Sequence, residues 1–576
     1  MDNAHIADAF EQVADLLEFQ NANPFRVRAY RNGARKIRDL PQPAKKIVED
    51  SDRRITDIEG IGKDLAEKIA TLVATGELPQ LAQLLEEIPE SVLTLMRVPG
   101  LGPKKAAVLF HELGITTLAQ LKEDCERGRV CTLKGFGAKT EQSILKGLSV
   151  AEDAGKRIYW AQADDIVTAL RDHFSTCEGV QQLELAGSYR RGKETVGDLD
   201  LLVVAGDSTV VMDRFGEFPA VAETIARGPT KMSIRTRAGF QIDLRVVPEE
   251  SFGAALQYFT GSKDHNVAIR GMARQRGLKI NEYGVFLVDG DKETYVAGAL
   301  EEDVYGALEL PVFPPELREA RRELEWAEQG ALPKLVTLAD ICGDLHVHTN
   351  ETDGRATLEE MAAAAQQRGL KYLAITDHSK RVSMARGLDA QRLLKQWKAI
   401  DLLNPRWEGG FVLLKGIECD ILEKGGMDLP DEVLAQADWV NASIHYGQQQ
   451  SRQQITERML EAIEHPSVTA LAHPTGRLLN RREPYEIDLD AVFQAARQRG
   501  TLLELNANPM RLDLHDIYCA TARNLGISIV ISTDAHSTDG LDDMRFGVLQ
   551  ARRGGLTKRD VANTRTWPQL KELIGK

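Results

Sequence analysis

The chain has 576 residues, of which 43% are hydrophobic and 27% are charged, and its formal net charge at pH 7 is −14. A chain of this length divides into several domains that each bury a core. Its six cysteines are scattered without paired spacing, which argues against disulfides and against a cysteine-bound zinc site. No targeting leader and no apolar stretch of membrane-spanning length occur, so we predict a cytoplasmic protein.

The acidic net charge does not exclude a nucleic-acid partner, because binding depends on local basic surfaces that displace counterions from phosphates. Two basic runs are present, and a solvated helix face is the alternative explanation for each. They are Arg26, Arg28, Arg31, Arg35, Lys36 and Arg38, and then Lys263, Arg270, Arg274, Arg276 and Lys279. Both runs lie beside the motifs described below, which favours DNA as the partner.

The first 150 residues contain a repeated pattern in which a Gly-x-Gly turn precedes a helical segment. The three turns carry Gly60 and Gly62, Gly100 and Gly102, and Gly135 and Gly137. Each repeat resembles a helix-hairpin-helix element. Glycines let the backbone approach closely, and amides at a helix N-terminus receive a phosphate without reading bases. The repeats therefore predict a sequence-independent grip on the backbone of DNA.

A Gly-Ser turn and two arginines precede a pair of acids that begin an apolar strand, between Gly187 and Asp200. Asp198 and Asp200 share one face of this strand, because strand side chains alternate between faces. Asp243 lies in a second segment of strand composition and supplies a third carboxylate. Carboxylates are hard oxygen ligands for Mg²⁺ or Mn²⁺, so the pattern predicts a two-metal centre.

These residues resemble the nucleotidyltransferase fold, and specifically the family X DNA polymerases, which include polymerase beta. The segment from Tyr258 to Ser262 resembles the nucleotide-selecting segment of that family. The resemblance implies that the three aspartates are catalytic and that a further set binds the nucleotide. That set is Gly187, Ser188, Arg191, Gly197, Tyr258, Phe259, Gly261, Lys263, Asn266 and Arg270. Two positions depart from polymerase beta: Lys263 replaces an acid, and Gln241 replaces an arginine beside the third carboxylate.

Residues 1–80 resemble the small N-terminal domain of family X, which in some members removes a sugar-phosphate through a lysine Schiff base. Lys68 falls at the nucleophile position, and Tyr30 matches a residue near it. Asp64 and Arg26 replace family lysines. A Schiff-base lysine must lose its proton, so the acid at position 64 disfavours the lyase activity for which Lys68 is the candidate.

Histidines and acids recur at the ends of short apolar runs in the C-terminal part of the chain. This recurrence indicates ligands that project from successive strand ends of a barrel, where the active sites of such folds assemble. The residues are His346, His348, Asp353, His378, Glu418, His445, His473, Asp534 and His536. Mixed imidazole and carboxylate ligands suit Zn²⁺ or Mn²⁺ better than Ca²⁺.

This set resembles the PHP (polymerase and histidinol phosphatase) domain, whose fold is a distorted barrel and whose nine ligands bind up to three metals. Cys419, His465 and His515 lie outside the pattern. The resemblance implies phosphoester hydrolysis by a metal-activated water. Because the module is joined to a polymerase, we predict a 3'-5' exonuclease, with an endonuclease activity at abasic sites or a 3'-phosphatase activity as a further candidate beside it.

The predicted architecture is multidomain, combining α+β and α/β parts. Its domains are a small helical domain at 1–80, a fingers-like helical domain at 81–150, a nucleotidyltransferase palm at 151–251, a thumb at 252–318, a linker at 319–339 and a distorted (β/α)7 PHP barrel at 340–576. We predict a monomeric, template-directed DNA polymerase that fills gaps during DNA repair, including base excision repair. Its predicted partners are gapped or primed DNA and deoxynucleoside triphosphates.

Two alternatives stay open at this stage. A non-templated nucleotidyltransferase acting on RNA or an antibiotic would share the Gly-Ser turn and the paired acids. A polymerase with a purely structural PHP domain would retain the barrel without its nuclease activity, although the complete ligand set disfavours this alternative.

Overall fold

The structure is a computed structural model that describes residues 3–38, 44–49, 54–58, 61–89, 91–96, 98, 101–142, 144–145, 148, 157–407 and 410–575. The chain divides into two compact units, one of Met1–Lys156 with Asn480–Arg482 and one of Arg157–Leu479 with Glu483–Lys576. Within the described residues, no helix combines the length and the apolar character that crossing a bilayer requires.

The first unit is built from helices. They are α1 (Asn3–Phe19), α2 (Pro24–Arg38), α3 (Ala44–Glu49), α4 (Lys63–Thr75), α5 (Pro79–Glu87), α6 (Ser91–Met96), α7 (Pro103–Leu113) and α8 (Leu118–Glu126). Two separate hydrophobic cores lie within this unit, one centred on α1, α2 and α4 and one formed mainly by residues 95–148.

Helix α2 illustrates how the basic run is accommodated. Its buried residues recur at helical spacing and are Val27, Tyr30, Ala34 and Ile37. Arg28 and Arg31 are exposed on the remaining surface of the helix. Arg31 already pairs with Asp15 and Glu18 of α1, at 3.1 and 2.6 Å.

The second unit begins with the palm. Its elements are β1 (Ile158–Tyr159), α9 (Trp160–Phe174), β2 (Val180–Leu185), α10 (Gly187–Arg190), β3 (Thr195–Val196), β4 (Asp198–Ala205), α11 (Ser208–Gly216), β5 (Val221–Arg227), β6 (Lys231–Thr236) and β7 (Gln241–Val246). The main sheet has the order β2-β4-β7-β6-β5, in which β4 and β7 are parallel and the other pairs are antiparallel. Helices α9 and α11 cover its apolar face.

The thumb follows and is smaller. Its elements are α12 (Phe252–Thr260), α13 (Lys263–Gln275), β8 (Leu278–Asn281), β9 (Gly284–Asp289), β10 (Lys292–Ala297) and α14 (Glu301–Gly306). The three strands form an antiparallel sheet. The segment predicted as a linker contains α15 (Glu323–Glu328), and Val336 within it donates its N–H to the carbonyl of Leu556 at 3.0 Å.

The C-terminal part of the second unit is a barrel of seven parallel strands in chain order. Its elements are β11 (Gly343–Val347), α16 (Leu358–Gln367), β12 (Tyr372–Ile375), α17 (Ala390–Leu403), β13 (Val412–Asp420), α18 (Asp431–Leu434), β14 (Trp439–Ser443), α19 (Arg452–Glu464), β15 (Ala470–Leu471), α20 (Leu489–Arg499), β16 (Leu502–Asn506), α21 (Asp516–Leu525), β17 (Ile529–Ser532), α22 (Met544–Arg553) and α23 (Trp567–Leu573).

A bridge between Val347 and Ala535 brings the first strand beside the end of the last one, so the barrel is nearly closed. Most of the strands are buried along their whole length, which is why they read as continuous apolar runs in the sequence. The helical N-terminal region, the mixed sheets and helices of the predicted palm and thumb, and the distorted seven-stranded barrel all occur as predicted.

Candidate active sites

The register of two palm strands brings three acids onto one face. Strands β4 and β7 run parallel, with Asp200 directly opposite Asp243 and Asp198 opposite Gln241. Burial, followed by the charges of Asp198 and Asp243, raises the pKa of Asp200 to about 6. Burial and the charge of Asp243 also raise the pKa of Asp198. The three carboxylates therefore repel one another, and a divalent cation with oxygen ligands would relieve that repulsion.

The Gly-Ser turn lies directly over this face. Gly187 has φ +63°, and a Cβ at this position would lie 2.8 Å from Oδ2 of Asp200. Both the left-handed backbone and the close approach therefore require glycine here. The neighbouring Asp243 is held from both sides, because Gln241 donates to its Oδ1 at 2.9 Å and Nζ of Lys231 lies 3.4 Å from its Oδ2.

The nine predicted ligands of the barrel converge at the carboxyl ends of its strands. His346 belongs to β11 and Glu418 to β13, while the others follow the ends of β11, β12, β14, β15 and β17. Six imidazoles form a continuous chain in which neighbouring ring centroids are 4.2 to 6.0 Å apart. Active sites of such barrels form at this end.

The described residues contain three groups of potential metal ligands, and within each group the ligand atoms all lie within 4.8 Å of one another. All three groups belong to the barrel. The groups are His348, Asp353, His378 and His536; then His346, His348 and Asp534; and then His378, Glu418 and His445. His348 and His378 each belong to two groups, which places the groups side by side. His473 lies just outside them, with Nε2 2.9 Å from Oε1 of Glu418.

Buried atoms without hydrogen-bond partners show that this cluster fits cations. Nε2 of His346, Nδ1 of His348, Nδ1 of His378 and Oε2 of Glu418 are buried and lack a partner of proper hydrogen-bond geometry, and the last two lie 2.7 Å apart as an ion pair. An unsatisfied buried polar atom is costly, so four in one cluster indicate bonds that the protein alone does not supply. Neutral imidazoles and carboxylates are the donors that Zn²⁺ and Mn²⁺ accept.

The charges inside the cluster compensate each other. Burial disfavours a charged His378, but Glu418 and Asp353 outweigh it and raise the pKa of His378 to about 10. Burial, then the nearby His536 and His378, lowers the pKa of His348 to about 4. Without cations, the cluster thus shares protons between imidazoles and carboxylates, and metal binding would replace those protons.

Comparison with known proteins finds relatives for both halves of the chain. Family models match five segments: a helix-hairpin-helix domain at 1–78, a helix-hairpin-helix tandem at 92–149, the DNA polymerase beta palm at 157–228, the DNA polymerase beta thumb at 255–319 and the PHP domain at 344–508. The "DNA polymerase/3'-5' exonuclease PolX" of Bacillus subtilis (strain 168) is 40% identical over 577 residues, which cover 100% of this chain and 99% of that protein. The chain belongs to the bacterial family X DNA polymerases with a PHP domain.

More distant relatives match parts of this family X polymerase. DNA polymerase lambda of Rattus norvegicus is 24% identical over 344 residues, which cover 55% of the chain and 56% of that protein. A probable phosphatase of Thermoanaerobacter sp. (strain X514) is 27% identical over 232 residues, 38% of the chain and 89% of that protein.

The predicted nucleotide residues of the polymerase lie at the junction of palm and thumb. Ser188 belongs to the short helix α10. Arg191 donates from Nη1 to the carbonyl of Thr260 at 2.5 Å and from Nε to Oε1 of Glu319 at 3.1 Å. A Cβ on Gly261 would lie 3.4 Å from Nη1 of Arg191, so these two predicted residues are neighbours. Glu319 holds Arg191 in place, and the sequence did not predict this role.

Neighbouring thumb residues hold Tyr258 and Phe259 of helix α12 in place. The rings of Tyr258 and Phe259 are edge to face at 5.1 Å, and the guanidinium of Arg270 is 5.9 Å from the Tyr258 centroid. Asn266 is buried, donates to the carbonyl of Tyr258 at 2.7 Å and accepts from Gln257 at 2.8 Å. In this structure Asn266 therefore fixes the aromatic segment.

Lys263 and Gly197 are two further residues that were predicted to bind the nucleotide. Lys263 begins helix α13, where its neighbour Ser262 caps the helix by accepting from the N–H of His265. A Cβ on Gly197 would lie 3.1 Å from Nη1 of Arg157, a cation that also lowers the pKa of Asp198 against the larger effects of burial and Asp243. No local pattern in the sequence pointed to Arg157, because its approach to Gly197 and Asp198 depends on the folded palm.

The candidate lyase residue is paired with an acid. Nζ of Lys68 lies 2.5 Å from Oδ2 of Asp64 and 5.4 Å from the centroid of the Tyr30 ring. Burial favours the neutral amine, but hydrogen bonds with Asp64 and Tyr30 outweigh it and raise the pKa of Lys68. This environment works against Schiff-base chemistry, which requires the neutral amine.

The predicted DNA-binding glycines are only partly described. Gly62 and Gly102 are the N-cap residues of α4 and α7, without a side-chain cap, and a Cβ on either would meet nothing within 4 Å. Gly135 has φ +89°, and the carbonyl of Gly137 accepts from the N–H of Glu141 at 3.0 Å. Uncapped amides beside open space suit a phosphate. Gly60 and Gly100 lie outside the described residues.

An outer layer of carboxylates around the barrel cluster was missed by the sequence analysis. Nδ1 of His346 lies 2.7 Å from Oε1 of Glu504, whose other oxygen accepts from the N–H of His473 at 2.6 Å. Nδ1 of His445 lies 3.0 Å from Oδ1 of Asp420. Such partners fix the tautomer and orientation of a ligating imidazole. The available signal was an acid inside an apolar strand, as at Glu504.

Proposed function

We propose that the chain is a template-directed DNA polymerase whose PHP domain carries a metal-dependent 3'-5' exonuclease. The observation that carries this proposal is that one chain has two chemically different sets of potential cation ligands: an all-carboxylate face in the palm and a mixed imidazole and carboxylate cluster in the barrel. The Bacillus relative, whose name includes both activities, supports the same conclusion.

In the palm, Asp198, Asp200 and Asp243 would hold two Mg²⁺ or Mn²⁺ ions. When bound, such ions activate the primer 3' hydroxyl and neutralise the triphosphate. Ser188, which follows Gly187 over this face, and Arg191 would orient the phosphates, and the Tyr258–Phe259 pair would contact the sugar. Most of the acceleration then comes from positioning and from charge neutralisation.

In the barrel, the nine ligands would hold up to three Zn²⁺ or Mn²⁺ ions, which lower the pKa of a bound water and stabilise the oxygens of a phosphodiester. Glu504 and Asp420 keep the rings of His346 and His445 in the ligating orientation. Burial of these histidines keeps their free nitrogens directed into the cluster.

Gapped DNA in repair, including base excision repair, is the proposed substrate. The helix-hairpin-helix segments would hold the DNA backbone without reading its sequence, and one chain would carry out both trimming and filling at a single lesion. An endonuclease activity at abasic sites or a 3'-phosphatase activity is the second candidate for the barrel, and the match to a probable phosphatase favours the latter. The monomeric state stays a prediction.

The comparisons do not favour the two alternatives. The full-length relative is named as a DNA polymerase, which disfavours a non-templated transferase acting on RNA or an antibiotic. The barrel retains all nine predicted ligands in one cluster, which disfavours a purely structural PHP domain.

The decisive experiment uses a 5'-labelled primer on a gapped duplex, incubated with Mg²⁺, Mn²⁺ or Zn²⁺ and with or without nucleotides. We expect extension that follows the template base when nucleotides are present, and shortening from the 3' end when they are absent. Extension that ignores the template base would instead indicate a non-templated transferase. A primer that stays intact with every metal would indicate a structural PHP domain.

A further inference from the structure

A helix of the PHP domain packs against the palm loop that carries Arg191. The side-chain amide of Gln550, in α22, donates to the carbonyl of Gly192 at 3.0 Å. Gly192 has φ +66°, and a Cβ at this position would lie 2.6 Å from Cδ1 of Leu549. The loop therefore makes close backbone contact with the barrel domain, which only glycine permits.

Arg553, the last residue of α22, reaches the same loop. Its Nη1 donates to the carbonyl of Arg191 at 2.7 Å and to Oε1 of Glu319 at 3.0 Å, and its Nη2 lies 2.8 Å from Oδ2 of Asp516. The Arg553 side chain is 3% exposed. A buried guanidinium with this many charge-assisted hydrogen bonds is held firmly in one orientation.

Glu319 is shared between two arginines of different domains. It accepts from Nε of Arg191 at 3.1 Å and from Nη1 of Arg553 at 3.0 Å through the same oxygen. Burial alone would raise the pKa of Glu319, but the charges of Arg553 and Arg191 outweigh it and lower the pKa. Because Arg553 also neutralises this carboxylate, Arg191 can leave Glu319 for a triphosphate without stranding a buried charge.

We propose that Arg553 is a positioning residue for nucleotide incorporation, supplied to the palm by the PHP domain. It fixes the backbone of the Arg191 loop and shares Glu319 with Arg191, so nucleotide binding depends on the barrel fold independently of nuclease chemistry. The contacts described for Arg553 are with Arg191, Glu319 and Asp516, none of which is among the nine barrel ligands. This inference rests on the proposed polymerase function.

The test compares two neighbouring arginines of α22 in the full-length protein. Arg552 also crosses between the domains, donating to Oε1 of Glu316 at 2.7 Å and to the carbonyl of Val336 at 3.2 Å, but its described contacts do not include the Arg191 loop. Arg553→Met and the matched control Arg552→Met are assayed for the KM of the incoming nucleotide, for kcat and for exonuclease rate.

We expect Arg553→Met to raise the nucleotide KM about tenfold, which corresponds to about 1.4 kcal/mol, while kcat changes by less than about threefold. Arg552→Met should leave KM within about twofold of wild type, and Arg553→Lys should recover part of the loss. Both methionine variants should keep the wild-type exonuclease rate, which reports an intact barrel. Adding Glu319→Gln to Arg553→Met should lower KM again, because Arg191 is then no longer held by a carboxylate that has lost its Arg553 partner and keeps only the weaker contact with Lys193, whose Nζ lies 3.7 Å from Oε2.

Equal increases in KM for Arg552→Met and Arg553→Met would overturn the inference, since both would then report general loosening between domains. A loss confined to kcat, or no benefit from the added Glu319→Gln, would also overturn it. If Arg553→Met loses exonuclease activity through misfolding, Arg553→Lys decides, with an intermediate KM in support and a wild-type KM against. Failure of the polymerase assignment is distinguishable, because the wild-type protein would then incorporate no templated nucleotide.

Discussion

The palm site and the barrel site differ in how far they assemble without cations. In the palm, three like charges share one face, and burial and mutual repulsion raise the pKa of Asp200 to about 6. In the barrel, acids and imidazoles alternate, and attraction raises the pKa of His378 to about 10 while it holds that of Glu418 well below its usual range, against burial in both cases. Like charges need a cation to come together, whereas opposite charges assemble a site beforehand.

The geometry agrees with this difference. Ligand atoms of the barrel form three groups within 4.8 Å, and the palm aspartates contribute to none of the groups found in the described residues. The barrel ligands also have carboxylate partners behind them, at Glu504 and Asp420, whereas Asp243 is held by Gln241 and Lys231. The barrel is therefore the more preorganised of the two sites.

The largest expected effect is the loss of nucleotide incorporation, without loss of exonuclease activity, when a palm aspartate is replaced. Asp243→Asn removes one of the three carboxylates that would hold the metal ions, and those ions offset the charge that develops during nucleotide transfer. Incorporation should therefore fall by at least about 10³-fold, or about 4 kcal/mol. Exonuclease activity should stay at the wild-type rate. Primer extension on a gapped duplex measures nucleotide incorporation, and primer shortening measures exonuclease activity. Normal extension by the variant would show that Asp243 is not part of the polymerase site.

The converse variant tests the barrel. His346→Ala combined with His348→Ala removes ligands from two of the three groups, so exonuclease activity should fall by at least about 10³-fold while synthesis is kept. Bound metal, measured by elemental analysis after dialysis, should fall in parallel. Undiminished primer degradation would count decisively against the cluster as the nuclease site.

A third prediction tests whether the palm acids repel and the barrel ligands attract. Folding raises the pKa of Asp200 from 3.8 to about 6, so the ionised carboxylate destabilises the folded state at any pH above about 6. This destabilisation disappears as the pH falls to about 3.8, where the carboxyl becomes protonated in the unfolded state as well. In the metal-free protein, Asp200→Asn should therefore stabilise the fold at pH 7 by about 3 kcal/mol, and the gain should shrink between about pH 6 and pH 4.

Glu418→Gln should have the opposite effect, because it leaves buried imidazoles without their carboxylate and destabilises the metal-free barrel. Urea unfolding in the presence of a chelator measures both variants. If the two substitutions change the free energy of unfolding in the same direction, the proposed difference between the sites is wrong.

The outer carboxylates should matter less than the ligands. Glu504→Gln keeps the size of the side chain but weakens the orientation of His346, so exonuclease activity or metal affinity should fall by about 10- to 100-fold. Polymerase activity should not change. Titration calorimetry of metal binding to the variant and to the wild-type protein would show whether the loss lies in metal affinity.

The smallest expected effect concerns the hairpins. Gly62→Ala adds a methyl group into open space at an ordinary backbone conformation, so the fold should be kept while a phosphate approaches less closely. Affinity for gapped DNA should fall by about two- to fivefold, or up to about 1 kcal/mol. Gly306→Ala in the thumb, which also adds a methyl group into open space, is the control and should bind DNA normally. Equal affinities for the two variants would argue against phosphate contact at Gly62.

The sequence by itself determined which side chains form the two sites. Asp198, Asp200 and the nine barrel ligands follow strand periodicity or strand ends, and these are local patterns that an isolated segment displays. The helix-hairpin-helix turns, the palm and thumb, and the PHP barrel were predicted from the resemblance of short motifs to known families, and each of those motifs lies within a short stretch of chain.

Tertiary structure alone decided how those residues are held. The pairing of Asp200 with Asp243, the support of His346 by Glu504 and the sharing of Glu319 between Arg191 and Arg553 each join residues distant in the chain. Such contacts depend on strand register and on how one domain packs against another, and neither leaves a local periodic signal. For that reason the chemistry of this polymerase could be inferred from its residues, whereas the coupling of its palm to its barrel could not.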